Sequence, residues 1–135
     1  MNTLRLLFLS IPFLFLGCAT QAANSITVAP DVSSQIEVFN SGLHDDCEIT
    51  SGSALYEDKL LSTHVTLQSH LDEKIALEGR WSWEDAQGYP IKANRAWKTV
   101  FVNAQEERKI EGLAPGPQAI SGKYELRYHS GETND

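Results

Sequence analysis

The residues of this sequence whose types lend themselves to chemistry are four histidines, two cysteines, three tryptophans and a few neighbouring carboxylates. Metal ligation needs such side chains to converge on one point at characteristic spacings. His64 and His70 fall on the same face of an alternating run. Six residues of strand hold them about 20 Å apart, so one ion cannot take both. His44, Asp46 and Cys47 could form a composite site with one distant histidine, but their spacing matches no metal pattern. No metal site is expected. Cys47 sits among Asp45, Asp46 and Glu48, which disfavour a thiolate; it reads as a small buried residue, with a redox or metal thiol as the alternative. The adjacent carboxylates Glu84 and Asp85, or Asp45 and Asp46, diverge on a strand or turn, where Asp serves backbone bonding. No serine stands in a nucleophile elbow and no glycine run resembles a phosphate loop. Neither a catalytic residue nor a cofactor is therefore expected, and the chain reads as a non-enzyme.

The elements that would position these residues are strands. Residues 61–88 organise the chain as two alternating segments joined by the polar connection Asp72-Glu73-Lys74. On the first, Leu61, Val65, Leu67 and Leu71 share a face; on the second, Ile75, Leu77, Trp81 and Trp83 do. Side chains alternate across a strand, so each segment has one apolar face for a core and one polar face for solvent. The connection has hairpin length, and the two segments are expected to pair as an antiparallel hairpin. Trp81 and Trp83 then belong to the core; with Trp97 they could otherwise form a stacking platform for a glycan or peptide. The polar face of the expected hairpin carries Thr66, Gln68, His70, Glu78 and Arg80. These five are the candidate interaction face. An exposed sheet edge could also receive a partner strand.

Residues 35–40, 96–102, 106–113 and 123–128 read as further strands. Residues 41–53 read as polar and turn-rich, and residues 54–59 as a turn or a short helix. Ala114-Pro115-Gly116-Pro117 cannot continue a central strand. Many short strands without a convincing helix predict an all-β fold, an immunoglobulin-like antiparallel β-sandwich of about seven strands. The expected boundaries are a signal peptide over 1–17, a tether over 18–33 whose short apolar patch at Ile26 and Val28 could end in an edge strand, the sandwich over 34–129 and a disordered tail over 130–135.

The chain begins with a single basic residue, Arg5, and an apolar run over 6–16 broken only by Ser10 and Pro12. Such a run is too short to span a bilayer and reads as a signal peptide. It ends in Leu16-Gly17-Cys18-Ala19, which resembles the lipobox of bacterial lipoproteins. That resemblance implies cleavage before Cys18 and lipidation of Cys18; Ala19 after the cysteine suggests sorting to the outer membrane, with the domain facing the periplasm. The alternative is an ordinary secretory peptide cut near Ala22 or Ala23, which would leave Cys18 free to pair with Cys47. The first 17 residues carry one of the 11 basic residues and none of the 18 acidic ones, so the remainder has a net charge of about −8. An acidic body argues against a nucleic-acid partner.

Arg80-Trp81-Ser82-Trp83-Glu84-Asp85-Ala86-Gln87-Gly88, together with Val65-Thr66-Leu67, residues 97–102 and Tyr124-Glu125-Leu126-Arg127-Tyr128, resembles the YcfL-like family of small Gram-negative lipoproteins. The likeness covers residues 55–128 and implies a lipid-anchored sandwich in the cell envelope. It brings no catalytic residues with it. Some members of that family are encoded beside a lipoprotein that activates a penicillin-binding protein, which hints at a protein partner in peptidoglycan synthesis.

Overall fold

The structure, a computed structural model, describes residues 22–130. The signal segment, Cys18 and the tail over 131–135 lie outside the described residues. The chain runs β1 (Asn24–Ala29), β2 (Val32–Glu37), α1 (Ser41–Asp46), β3 (Cys47–Glu57), β4 (Leu60–Ser69), β5 (Ile75–Glu84), β6 (Lys98–Val102), β7 (Glu107–Leu113) and β8 (Ser121–Tyr128). One sheet has five strands in the order β2-β1-β8-β5-β6, and the other has three, β3-β4-β7. All pairings are antiparallel. The expected all-β antiparallel sandwich is thus present, with eight strands among the described residues.

Alternation builds the core as anticipated. Val65 and Leu67 on β4 and Leu77 on β5 are fully buried, with Ile26, Val28, Tyr124 and Leu126 from β1 and β8. Leu61 and Trp83 form a second buried group with Ala114 and Ala119.

The expected β4–β5 hairpin does not form. β4 pairs with β3 and β7, whereas β5 pairs with β6 and β8 in the opposite sheet. The connection 70–74 crosses between the sheets and is held by bonds to other elements: the His70 amide donates to the Asp46 carbonyl at 2.9 Å, and the Gln105 amide to the Leu71 carbonyl at 3.1 Å. Two strands with one apolar face each can bury those faces side by side in one sheet or facing one another across two. Alternation is the same in both cases.

The expected tether over 18–33 also needs correction from residue 24 onward. β1 is an interior strand between β2 and β8, and Ile26 and Val28 are buried to 0% and 1% exposure. Asn24 fixes its start: its side-chain oxygen accepts from the Phe39 and Asn40 amides, and its amide donates to the Asn40 carbonyl. The sandwich therefore starts about ten residues before residue 34. Residues 41–53 are not a loop. Asn40 caps α1 by accepting from the Leu43 amide, Leu43 is buried, and β3 follows directly. Residues 54–57 close β3, and Asp58 and Lys59 make a two-residue turn into β4.

Candidate functional site

Because β4 and β5 lie in different sheets, the five candidate interface residues do not share a face. Thr66 and Gln68 point outward from the three-stranded sheet, while Glu78 and Arg80 point outward from the five-stranded one. His70 lies just beyond β4 and meets Glu48 at 3.1 Å. Thr66 is nearly buried, and the Gln68 amide donates to the Ser69 and Gln105 carbonyls.

The outer surface of the five-stranded sheet carries an ordered network of charge. Arg127 donates twice to Glu78, at 2.7 and 2.9 Å, and Ser130 adds two more bonds to the same carboxylate. Arg80 meets Glu125 at 3.2 Å. Both guanidiniums also lie against the Trp97 ring, at 4.1 and 4.0 Å from its centre, a favourable cation–π placement. Burial favours the neutral form of Glu78, but the Arg127 and Ser130 hydrogen bonds and the Arg127 charge outweigh it and hold the carboxyl below its usual range.

The other candidates are dispersed. His64 pairs with Ser53, and His44 and His70 both approach Glu48. Among the described residues no three His, Cys, Asp or Glu side chains are grouped to hold a metal ion. Cys47 is buried at the start of β3, and burial together with Asp46 pushes its thiol up to about 11. Trp81 and Trp83 stack at 5.4 Å; Trp83 is in the core, so of the three tryptophans only Trp97 sits among outward-facing side chains.

Two features are not located by the sequence. One is the free edge of the five-stranded sheet: an exposed edge is expected, but not which strand forms it. β2 pairs only with β1, and the three-stranded sheet is too narrow to cover it. Val32, Ile36, Val38 and Phe39 are consequently 66%, 41%, 45% and 67% exposed. The sequence marked residues 35–40 as a strand, but nothing local distinguishes an edge from an interior strand. The other is a cleft of about 500 Å³ at the opposite side of the sandwich, between β6 and β7. Its lining comes from residues 79–124, which no motif brings together.

The fold is similar to two solved structures. One is a DUF1425 family member from Shewanella sp. pv-4, with 18% identity, a TM-score of 0.59, and coverage of 79% of this chain and 98% of that one. The second is Campylobacter jejuni cj0090, with 17% identity, a TM-score of 0.55, and coverage of 60% and 85%. At this identity the likeness concerns the fold alone. Comparison with curated proteins gave no match. The family model for "Protein of unknown function (DUF1425)" matches residues 34–128, and the chain belongs to the DUF1425 family.

Proposed function

We propose that this protein is a non-catalytic recognition module of the bacterial envelope, held at the periplasmic face of the outer membrane by a lipid on Cys18, and that it docks an extended segment of another envelope protein along β2. The observation that carries the reading is the exposed apolar edge: β2 pairs on one side only, with Val32 and Ile36 exposed along it and Val38 and Phe39 exposed just past its end. An uncovered strand edge invites pairing, and proteins ordinarily blunt it with charge or proline. This edge has Pro30 in the turn before β2 and Glu37 at its end, and its middle is unguarded. A partner strand would add to the ladder and set alternate apolar side chains against Ile36 and its neighbours. The YcfL-like character of the sequence and the acidic body fit a protein partner in the envelope, with the peptidoglycan-synthesis machinery the leading class.

The test is photo-crosslinking in intact cells, with the probe placed in turn at Val32, Ile36 and Phe39, and at Thr66 and Gln68 as controls. One envelope protein recovered from these edge positions and not from the controls, and lost in an Ile36→Lys variant that remains folded, is the expected result. Adducts only to a second copy of the chain, or equal recovery from both sets, would reject the docking edge.

A further inference from the structure

The cleft between β6 and β7 exists because these are the end strands of their sheets on one side of the sandwich, and among the described residues no strand bridges them. Register decides what faces into it. Lys98 lies opposite Gly79, and Arg108, Ile110 and Gly112 lie opposite Leu67, Val65 and Thr63. All share the inward faces of their strands. Arg108 spans the gap by donating to the Phe101 carbonyl at 2.6 Å. Two cations therefore stand on the inward strand faces of a cleft of mixed lining, apolar at Trp81, Val100 and Ile110 and polar at Asn94 and Thr99, on a chain whose net charge is −7.

The inner wall holds Trp81 and Tyr124. The Trp81 indole N–H and the Tyr124 hydroxyl are buried and have no hydrogen-bond partner among the described residues. Tyr124 is 2% exposed. Buried polar groups are paired in the great majority of cases, so two orphans on one wall call for an explanation. Glycines make their seats. A Cβ at Gly79 would stand 1.8 Å from the Tyr124 hydroxyl, and one at Gly112 would stand 2.8 Å from the Trp81 nitrogen. Burial raises the Tyr124 hydroxyl well above its ordinary range, so it keeps its proton and can donate. The indole can only donate. Glu111 is the one carboxylate in the lining, and strand alternation turns it to the outer side of β7. Trp81 and Tyr124 thus offer two donors beside positive charge, and no acceptor is paired with either of them.

We propose that this cleft binds a small organic anion with a flat apolar body, a ring-bearing carboxylate, whose oxygens accept from the Trp81 indole and the Tyr124 hydroxyl and whose charge faces Lys98 and Arg108. Its volume falls within the range of small-molecule sites, about 300–1,000 Å³. Trp81 and Ile110 supply apolar walls, and the two glycines seat the Tyr124 and Trp81 side chains that carry the donors. Both donors are shut from solvent, so binding displaces the adjoining wall of Ala93, Asn94 and Ala96, which belongs to a segment without strand pairing. This site lies on the far side of the sandwich from the β2 edge and does not depend on the docking reading.

The experiment is an NMR titration of the full, nitrogen-labelled chain in detergent micelles, following the indole N–H signals. The probe is 2-naphthoate, with 2-naphthalenemethanol as the uncharged control. The signal removed by Trp81→Phe should move downfield and saturate with naphthoate, while the alcohol should bind far more weakly. Loss of a charge-assisted partner in Lys98→Gln should weaken naphthoate binding by about tenfold or more, and Tyr124→Phe should weaken it severalfold. Lys98 is exposed, so its replacement leaves the fold intact. A Trp81 signal that naphthoate does not move, one that the alcohol moves as well, or affinities unchanged in both variants would overturn the assignment.

Discussion

Glu78 faces outward from β5 and is nonetheless only 8% exposed, because Arg127 and Ser130 close over it. Its folded-state carboxyl is held below the usual range, while in the unfolded chain it titrates near the ordinary value of about 4.3. The unfolded state therefore binds its proton first as pH falls. The carboxylate contributes stability that is fully present above the unfolded value and is lost as pH drops through the lower, folded one. Glu78→Gln should accordingly lower stability at neutral pH and flatten its acid dependence, seen as a smaller fall in Tm between pH 6 and pH 3, roughly the span in which carboxylates titrate. An unchanged acid profile would show that the Arg127 pair carries no linkage. Cys47 gives a second prediction at this scale. Buried, with its thiol pushed up to about 11, it presents almost no thiolate at neutral pH, and the thiolate is the reactive form. Alkylation mapped to Cys47 by mass spectrometry should be slow in the native protein and rapid in denaturant. Rapid native labelling would mean that α1 opens readily from the start of β3.

Among the elements, the β3–β4 hairpin is joined by Asp58 and Lys59, with φ of 47° and 69°. Positive φ at both central positions marks the turn that matches strand twist, and glycine or asparagine is the usual occupant. Lysine in the left-handed region costs about 1–2 kcal/mol. Lys59→Gly should therefore stabilise the protein by a few tenths to about 1 kcal/mol, after the extra freedom of glycine in the unfolded chain is subtracted; denaturant unfolding measures it. The same turn shows what could be read in advance. Asp-Lys is no standard hairpin signal, so residues 54–59 read as a turn or a short helix, and the strand end over 54–57 is not marked. Where a property is local the sequence displays it: Val65 and Leu67 alternate with Thr66 and Gln68, and the former are buried. Pairing is not local. Leu77 has Val100 and Tyr128 opposite it, at separations that no pattern in residues 61–88 encodes. The candidate interface shared this fate. Thr66 and Glu78 each face outward from their strand, as alternation requires, but on opposite surfaces of the sandwich.

For the molecule as a whole, the instructive mismatch lies at the N-terminal boundary. The family model begins at residue 34, as does the domain anticipated from alternation, whereas β1 occupies residues 24–29 inside the five-stranded sheet. Its sequence, N-S-I-T-V-A, is short and weakly apolar, which is why it resembles a tether. Its energetic weight comes from its neighbours. Ile26 and Val28 insert among Val65, Leu67, Leu77 and Tyr124, and their burial contributes about 1.5–3 kcal/mol each. Removing the strand would also leave β8 without one of its two partners and β2 without its single one. Gly52 on β3 packs so closely beneath Ile26 and Val28 that an added Cβ would come within 2.9 Å of both, so a void would open there. These losses together approach the whole stability of a small domain, about 5–15 kcal/mol. A chain beginning at Ser34 should give no cooperative thermal transition, while one beginning at Ala22 should unfold in a single step. The full-length variant Ile26→Ala should lie between them, losing about 2–5 kcal/mol. A cooperative transition in the chain from Ser34, with Tm equal to that of the longer chain, would make β1 dispensable. It would also remove the scaffold on which the β2 edge is proposed to receive its partner, because β2 is held in the sheet by β1 alone.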